Sequence, residues 1–261
     1  MAILRAGNVG YSNLTSNPYF SIPANYPGLI VNYNMQTSGA FLLDRSPNKL
    51  NGTLILSPTE NAQTIVGKTI SFDGSTQAVN LGDNDNFSFP AVNDVFTIIY
   101  IAKRTAATSG ALFGKYNTGS AEYSCQMFGD KIYFFTQDSV NGGYRGRISA
   151  TNDWAVDSTY RFIVLKKTAG AANANHEIWV DNVQKDATNF TAGAYTQMVN
   201  GASPLYINYG GTLASVYMPC EQEYFAIFHS ALTTAEMTNF YNTFNQIRTR
   251  NKILSNLKIT P

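Results

Sequence analysis

Hydrophobic residues recur along this chain in short runs bounded by Gly, Asn, Asp, Ser and Pro, a rhythm that belongs to strands. Such runs occupy residues 29–33, 53–56, 69–72, 78–81, 96–102, 111–113, 123–128 and 132–136. They continue at 144–148, 160–166, 177–181, 205–209 and 224–228. The run Phe96-Thr-Ile-Ile-Tyr-Ile-Ala102 is apolar at consecutive positions, which predicts a central strand buried on both faces. Helical periodicity occurs once: Met237, Phe240, Tyr241, Phe244 and Ile247 form a single apolar stripe. Thr233-Thr-Ala-Glu236 in front of it is a capping box, in which hydroxyl and carboxylate satisfy each other's orphan amides. About a dozen short strands and one helix predict an all-β chain: a two-sheet antiparallel jelly-roll sandwich with one C-terminal helix.

Before residue 28 the pattern is absent. Asn17-Pro18, Ile22-Pro23 and Tyr26-Pro27 each bias the backbone to extended conformations, with Ile3, Leu4, Leu14, Tyr19 and Phe20 spread among them. The expected organisation is an extended arm over 1–27, a sandwich domain over 28–248 and a tail over 249–261. An arm of this kind is expected to lie along its own domain and along neighbouring copies or other proteins of an assembly.

Composition sharpens this. Of the 261 residues only 13% are charged, about half the usual share, and Gly, Ser, Thr, Asn and Tyr fill the gap. The net charge is +1, and the nearest thing to a basic cluster is Arg248, Arg250, Lys252 and Lys258, too few cations to neutralise a row of phosphates. Nucleic acid is therefore not an expected partner, and neither is a membrane, because no run approaches a spanning length. The first residues lack the apolar core of a secretory signal, so synthesis in a cytoplasm without export is expected, and the sequons at Asn13, Asn51, Asn86 and Asn189 carry no claim of glycosylation. Cys125 and Cys220 lack metal-ligand spacing, and free buried thiols are expected, although spacing alone leaves a disulfide open.

Signatures of catalysis are missing. No alternating run of carboxylates of the kind retaining glycosidases use is present, and no nucleophile elbow, phosphate loop or zinc spacing. Glu221 and Glu223, which point to one face of a strand, are the only carboxylate pair worth weighing for catalysis. His176 and His229 stand apart from any motif. The expectation is that the protein is not an enzyme.

Four stretches, in order, carry a resemblance. They are Gly28-Leu-Ile-Val-Asn-Tyr33; Asp44-Arg-Ser-Pro-Asn-Lys-Leu-Asn-Gly52; Ile70-Ser-Phe-Asp-Gly-Ser75; and Phe225-Ala-Ile-Phe-His-Ser-Ala-Leu-Thr233 with Glu236. Together they resemble the laminin-G-like (concanavalin A-like) jelly roll, over roughly residues 28–245. Ile178-Trp-Val-Asp-Asn182 and Tyr206-Ile-Asn-Tyr-Gly-Gly211 sit where that family has further strands. The chain departs from it at Gln222-Glu-Tyr-Phe225, where the family usually has Ile-Asp-Glu-Val. Some members hold calcium near this strand and the early loop, but here only Asp44 and Glu223 could contribute, short of the six to eight oxygens calcium takes. No metal and no cofactor is expected.

The resemblance implies a scaffold for contact, and the residues suited to glycan contact are aromatic faces and planar donors on loops. Asn141, Tyr144 and Arg145, with Trp154 in the next loop and Tyr116 behind them, are the candidates; alternatively Trp154 caps the core and Tyr144 merely starts a strand. The expected role is a virion structural protein of a bacteriophage, as capsid decoration or a tail or fibre component. Its partners would be other virion proteins or copies of itself through the arm, and cell-surface glycan. A carbohydrate-binding module or host-receptor adhesin, and a glycan hydrolase, are the alternatives.

Overall fold

The structure is a computed structural model that describes residues 20–64, 67–211 and 216–256. The expected arm up to residue 19, and the last residues of the expected tail, lie outside this range. In chain order the strands are β1 (Leu29–Tyr33), β2 (Thr37–Ser38), β3 (Phe41–Leu42), β4 (Gly52–Ile55), β5 (Thr59–Thr64) and β6 (Gly67–Asp73). Next come β7 (Ala78–Asn80), β8 (Phe96–Arg104), β9 (Gly110–Lys115), β10 (Tyr123–Phe128), β11 (Lys131–Asp138) and β12 (Gly143–Ser149). The last are β13 (Arg161–Lys167), β14 (His176–Val180), β15 (Val183–Gln184), β16 (Asp186–Ala192), β17 (Tyr206–Ile207) and β18 (Pro219–Phe228), before the helix α1 (Thr234–Asn256).

They form two antiparallel sheets stacked as a sandwich. The first has the order β15-β14-β13-β8-β18-β6-β5, with β1 also paired to β18. The second has ten strands, β16-β12-β11-β10-β9-β17-β7-β4-β3-β2. Five strands escaped the sequence reading, the two-residue β2, β3 and β15 together with β5 and β16, and the helix ends later than expected. β16 is polar at most positions, and its pattern lacks the apolar alternation that marks the other strands. The helix runs to Asn256, beyond residue 248.

The core between the sheets takes alternate residues of each strand: Ile98 and Tyr100 from β8, Ile163 and Leu165 from β13, Phe113, Cys125 and Phe134 from the second sheet. The other face of the first sheet is apolar too. Ile99, Ile101, Phe162, Val164, Tyr224 and Phe228 meet Met237, Phe240, Phe244 and Ile247 of α1. This explains why Phe96–Arg104 is apolar without alternation: both of its faces are enclosed. The capping box forms as expected, with Thr233 N donating to Glu236 Oε2 at 2.8 Å and Glu236 N to Thr233 Oγ1 at 3.3 Å. Phe20 wedges into the same layer, its ring 4.8 Å from Tyr224 and 6.1 Å from Phe244. Ile22 O accepts from Asn32 Nδ2 at 2.8 Å, and Tyr224 Oη donates to Asn32 Oδ1 at 2.6 Å, so this segment is tied to its own domain.

The Asp44 loop has a structural task. β1 has a free edge, and the loop covers it: Asn32 N donates to Asp44 Oδ1 at 2.9 Å, Arg45 N to Asn32 O at 2.8 Å, and Ser46 Oγ to Ile30 O at 2.9 Å. The remaining carboxylate positions of Asp44 accept from Ser46 N, Ser46 Oγ and Leu50 N at 2.7–2.8 Å. Both oxygens are filled by protein donors, and no cluster of metal-binding side chains occurs among the described residues. Cys125 and Cys220 are buried free thiols, and burial pushes the Cys220 thiol up to about 12.

Candidate functional site

The outer face of the ten-stranded sheet carries what the opposite outer face hides: a row of aromatic rings. Phe134 points into the core, so Phe135 points out, and the register places Phe135, Gly146 and Phe190 side by side on β11, β12 and β16. Gly146 has no alternative here, because a Cβ would lie 2.2 Å from Phe134 O and 2.5 Å from Phe135 Cβ. Over that bare position the Phe135 and Phe190 rings close to 5.2 Å.

From this pair the row extends both ways. Tyr144 stacks on Phe190 at 4.6 Å, and Phe135 lies 5.9 Å from Tyr144 and 5.4 Å from Tyr116. In the other direction Tyr133 lies 5.2 Å from Phe190 and Phe128 lies 5.0 Å from Tyr133. Phe135 is almost covered, at 4% exposure, and acts as the floor; Phe128 is 46% exposed, and the tyrosines and Phe190 are half-buried. Burial and the nearby Tyr144 raise the Tyr116 phenol, which keeps it a neutral hydrogen-bond donor. Gln137 stands opposite Tyr144 on the same face, and its Oε1 is buried with no partner among the described residues. The arrangement therefore offers ring faces for apolar C–H surfaces together with phenol and amide groups for hydroxyls. That is the chemistry of sugar recognition.

Two sequence candidates, Tyr116 and Tyr144, belong to this row, bridged by Phe135. The others do not. Arg145 alternates to the opposite face, where its Nη1 donates to the carbonyls of Tyr144 (2.8 Å), Ala192 and Gly193 (both 3.2 Å), and its guanidinium lies over Tyr195. It stitches the end of the β12–β16 pair. Asn141 is exposed in the β11–β12 turn, and its side-chain amide is held by Asp138 Oδ2 at 2.8 Å. For Trp154 the alternative reading holds and the glycan-contact one does not: its exposure is 0%, it packs edge-on against Tyr100 in the core, and it offers no face to a ligand. Four residues of the row went unread: Phe128, Tyr133, Phe135 and Phe190. The signal was there in Ile132-Tyr-Phe-Phe135, apolar on both faces with no second helix to cover the outer one.

Tyr116 is held from two sides. Lys115 beside it is wholly buried, its Nζ fixed by Glu122 at 2.7 Å, Asp83 at 2.8 Å and Ser203 O at 2.7 Å. Gly211 passes so close that a Cβ would lie 2.0 Å from Tyr116 O. Across that glycine loop stands a second ring group, Tyr209 stacked on Tyr217 at 4.6 Å and Tyr206 at 5.2 Å from Tyr209.

The paired carboxylates do not converge on a cleft. Glu221 accepts from Thr69 Oγ1 at 2.6 Å and pairs with Lys103 at 2.7 Å; burial works to raise it, but these partners and Tyr160 hold it below its usual range. Glu223 is the extra residue of a β-bulge, since Gln222 pairs with Ala102 and Tyr224 with Ile101. It is 4% exposed, its two oxygens have no hydrogen-bond partner among the described residues, and burial drives its carboxyl far up, against the pull of Arg248. An acid enclosed in this way has no route to a substrate.

Known proteins can be set beside this geometry. No family model matches the sequence, and no characterised protein matches it by sequence. Solved structures do match in shape. The binding domain of botulinum neurotoxin DC, in complex with SialylT, superposes with a TM-score of 0.59 at 12% identity over 83% of this chain and 52% of that one. Botulinum neurotoxin type C, whose access to cells depends on interaction with two ganglioside molecules, gives 0.59 at 11% identity over 83% and 51%. The likeness is one of fold. Trypanosoma rangeli sialidase in complex with sialic acid gives 0.57 at 13% identity over 84% of this chain and 33% of that chain. This chain thus spans about half the length of the toxin structures and a third of the sialidase.

Proposed function

We propose that this protein is a non-catalytic contact module that takes glycan on the outer aromatic face of its ten-stranded sheet, and that it works as a surface component of a bacteriophage virion. The observation that carries the glycan reading is the row from Tyr116 through Tyr144, Phe190 and Tyr133 to Phe128, floored by Phe135 and left without a covering helix among the described residues. Soluble domains seldom leave contiguous apolar surface open unless it meets something. The toxin structures of similar fold, one in complex with SialylT and one dependent on gangliosides, support a sugar as the partner. Glu221 locked in an ion pair and Glu223 enclosed in a bulge support a role without turnover. The virion setting is supported by the laminin-G-like order of motifs and the low charge.

Screening the intact chain on a glycan array tests the first part: binding to a defined set of sugars, weakened roughly 30-fold in Tyr144→Ala with the melting temperature lowered by no more than a few degrees, is expected. Arrays that stay blank, or hits that Tyr144→Ala leaves intact, would remove it. Mass spectrometry of purified particles tests the second, which fails where the chain is found only free in the lysate.

A further inference from the structure

Sheet edges expose backbone groups with no strand partner, and most proteins block them. Here the edges are treated unequally. β2 and β15 are two residues long, β1 is covered by the Asp44 loop, and β5 is interrupted by a register shift between Asn61 and Thr64. β16 is the exception. Among the described residues it pairs with β12 alone, its irregularity lies near its start, between the partners of Ile148 and Ser149, and Thr188 to Ala192 then run in unbroken register. That run, Thr-Asn-Phe-Thr-Ala, holds no charge and no proline, and four of its five residues are exposed. The nearest charge on the strand, Asp186, is neutralised within the chain by Arg147 at 3.0 Å.

We infer that β16 pairs with β16 of a second copy of this chain, antiparallel about a two-fold axis at Phe190, joining two ten-stranded sheets into one. Centring on Phe190 uses the whole regular run: Thr188 faces the partner's Ala192, Asn189 faces the partner's Thr191, and the two Phe190 rings meet. Directly opposed positions have Cβ atoms about 4.5–5.5 Å apart, and aromatic pairs there are favourable. No like charges oppose one another in this register, which an unrelated strand would match only by accident. Phe190 is also the last ring of its row on this side, already stacked on Tyr144. The two-fold copy sets a second row directly beyond it, with both outer faces turned the same way. Two ligand faces on one rigid surface then gain from simultaneous engagement.

Sedimentation of the full chain without any glycan, over a dilution series, reads this out. A mass of two chains is expected, falling to one in Asn189→Lys/Thr191→Lys, where lysines face lysines across the axis. Register is read by cysteine pairs, since Cys125 and Cys220 are buried and give no background. Asn189→Cys mixed with Thr191→Cys should give disulfide-linked dimers under mild oxidation, because the opposed Cα spacing fits a disulfide. Neither variant should do so alone. A single-chain mass at every concentration, a dimer that survives the lysines, or equal crosslinking in unmixed samples would overturn the inference. With no sugar present, these results stand apart from those of the glycan array.

Discussion

The two outer faces of this sandwich begin from the same material and end differently. Both carry aromatic rings at alternate strand positions: Phe162, Tyr224 and Phe228 on the first sheet, Tyr133, Phe135, Tyr144 and Phe190 on the second. Over the first, α1 and Phe20 close a second core. Over the second no α-helix lies among the described residues, and the rings pack on each other. Aromatic content alone therefore says little about function. What separates the two faces is whether the described residues of the chain supply a cover.

Truncation at equivalent rings should break this comparison if it is wrong. Phe244→Ala empties a fully buried site beneath α1 and is expected to cost about 3–5 kcal/mol of unfolding free energy. In Tyr144→Ala the stability loss is expected to stay within about 1 kcal/mol, while glycan affinity falls by about 2 kcal/mol, roughly 30-fold. Denaturant titration beside a binding isotherm separates the two; equal stability losses at both rings would erase the distinction between the faces.

A smaller effect sharpens the covered side. Because burial raises the Glu223 carboxyl, the folded state holds its proton more tightly than the unfolded chain, whose ordinary value is 4.5. The stability this contributes is complete below that value and is lost as pH climbs toward the folded one. Glu223→Gln should flatten this limb and raise stability at about pH 8 by about 1–2 kcal/mol. His176 governs the opposite limb: burial lowers it to about 3, so unfolding becomes easier as pH falls from 6.5 toward that value. Melting curves across pH check both signs. The smallest change is at the helix start, where Thr233→Ala removes the cap and should cost about 1 kcal/mol.

Much of the covered side was legible in the sequence. The capping box, the helical stripe and the doubly apolar Phe96 run each state a local preference that the fold then satisfies. The Asp44 loop was legible as a motif, but its task was not, because the edge it covers is brought to it by the pairing of β1 with β18. The aromatic row was only half legible. Tyr116 and Tyr144 stood out beside glycine-rich turns, whereas Phe135 and Phe190 come together through a ladder spanning more than fifty residues of chain, across a glycine whose purpose appears only in register. Trp154 stayed open between loop contact and core capping because burial is a property of the whole sandwich, and the core took it.

Proton NMR of the aromatic rings during titration with an array-positive glycan tests the division between the faces most directly. Resonances of Tyr116, Tyr133, Tyr144 and Phe190 should move together and saturate, while those of Phe162, Phe244 and Trp154 stay still. Shifts confined to the Asn141 turn, or spread over the rings beneath α1, would contradict it.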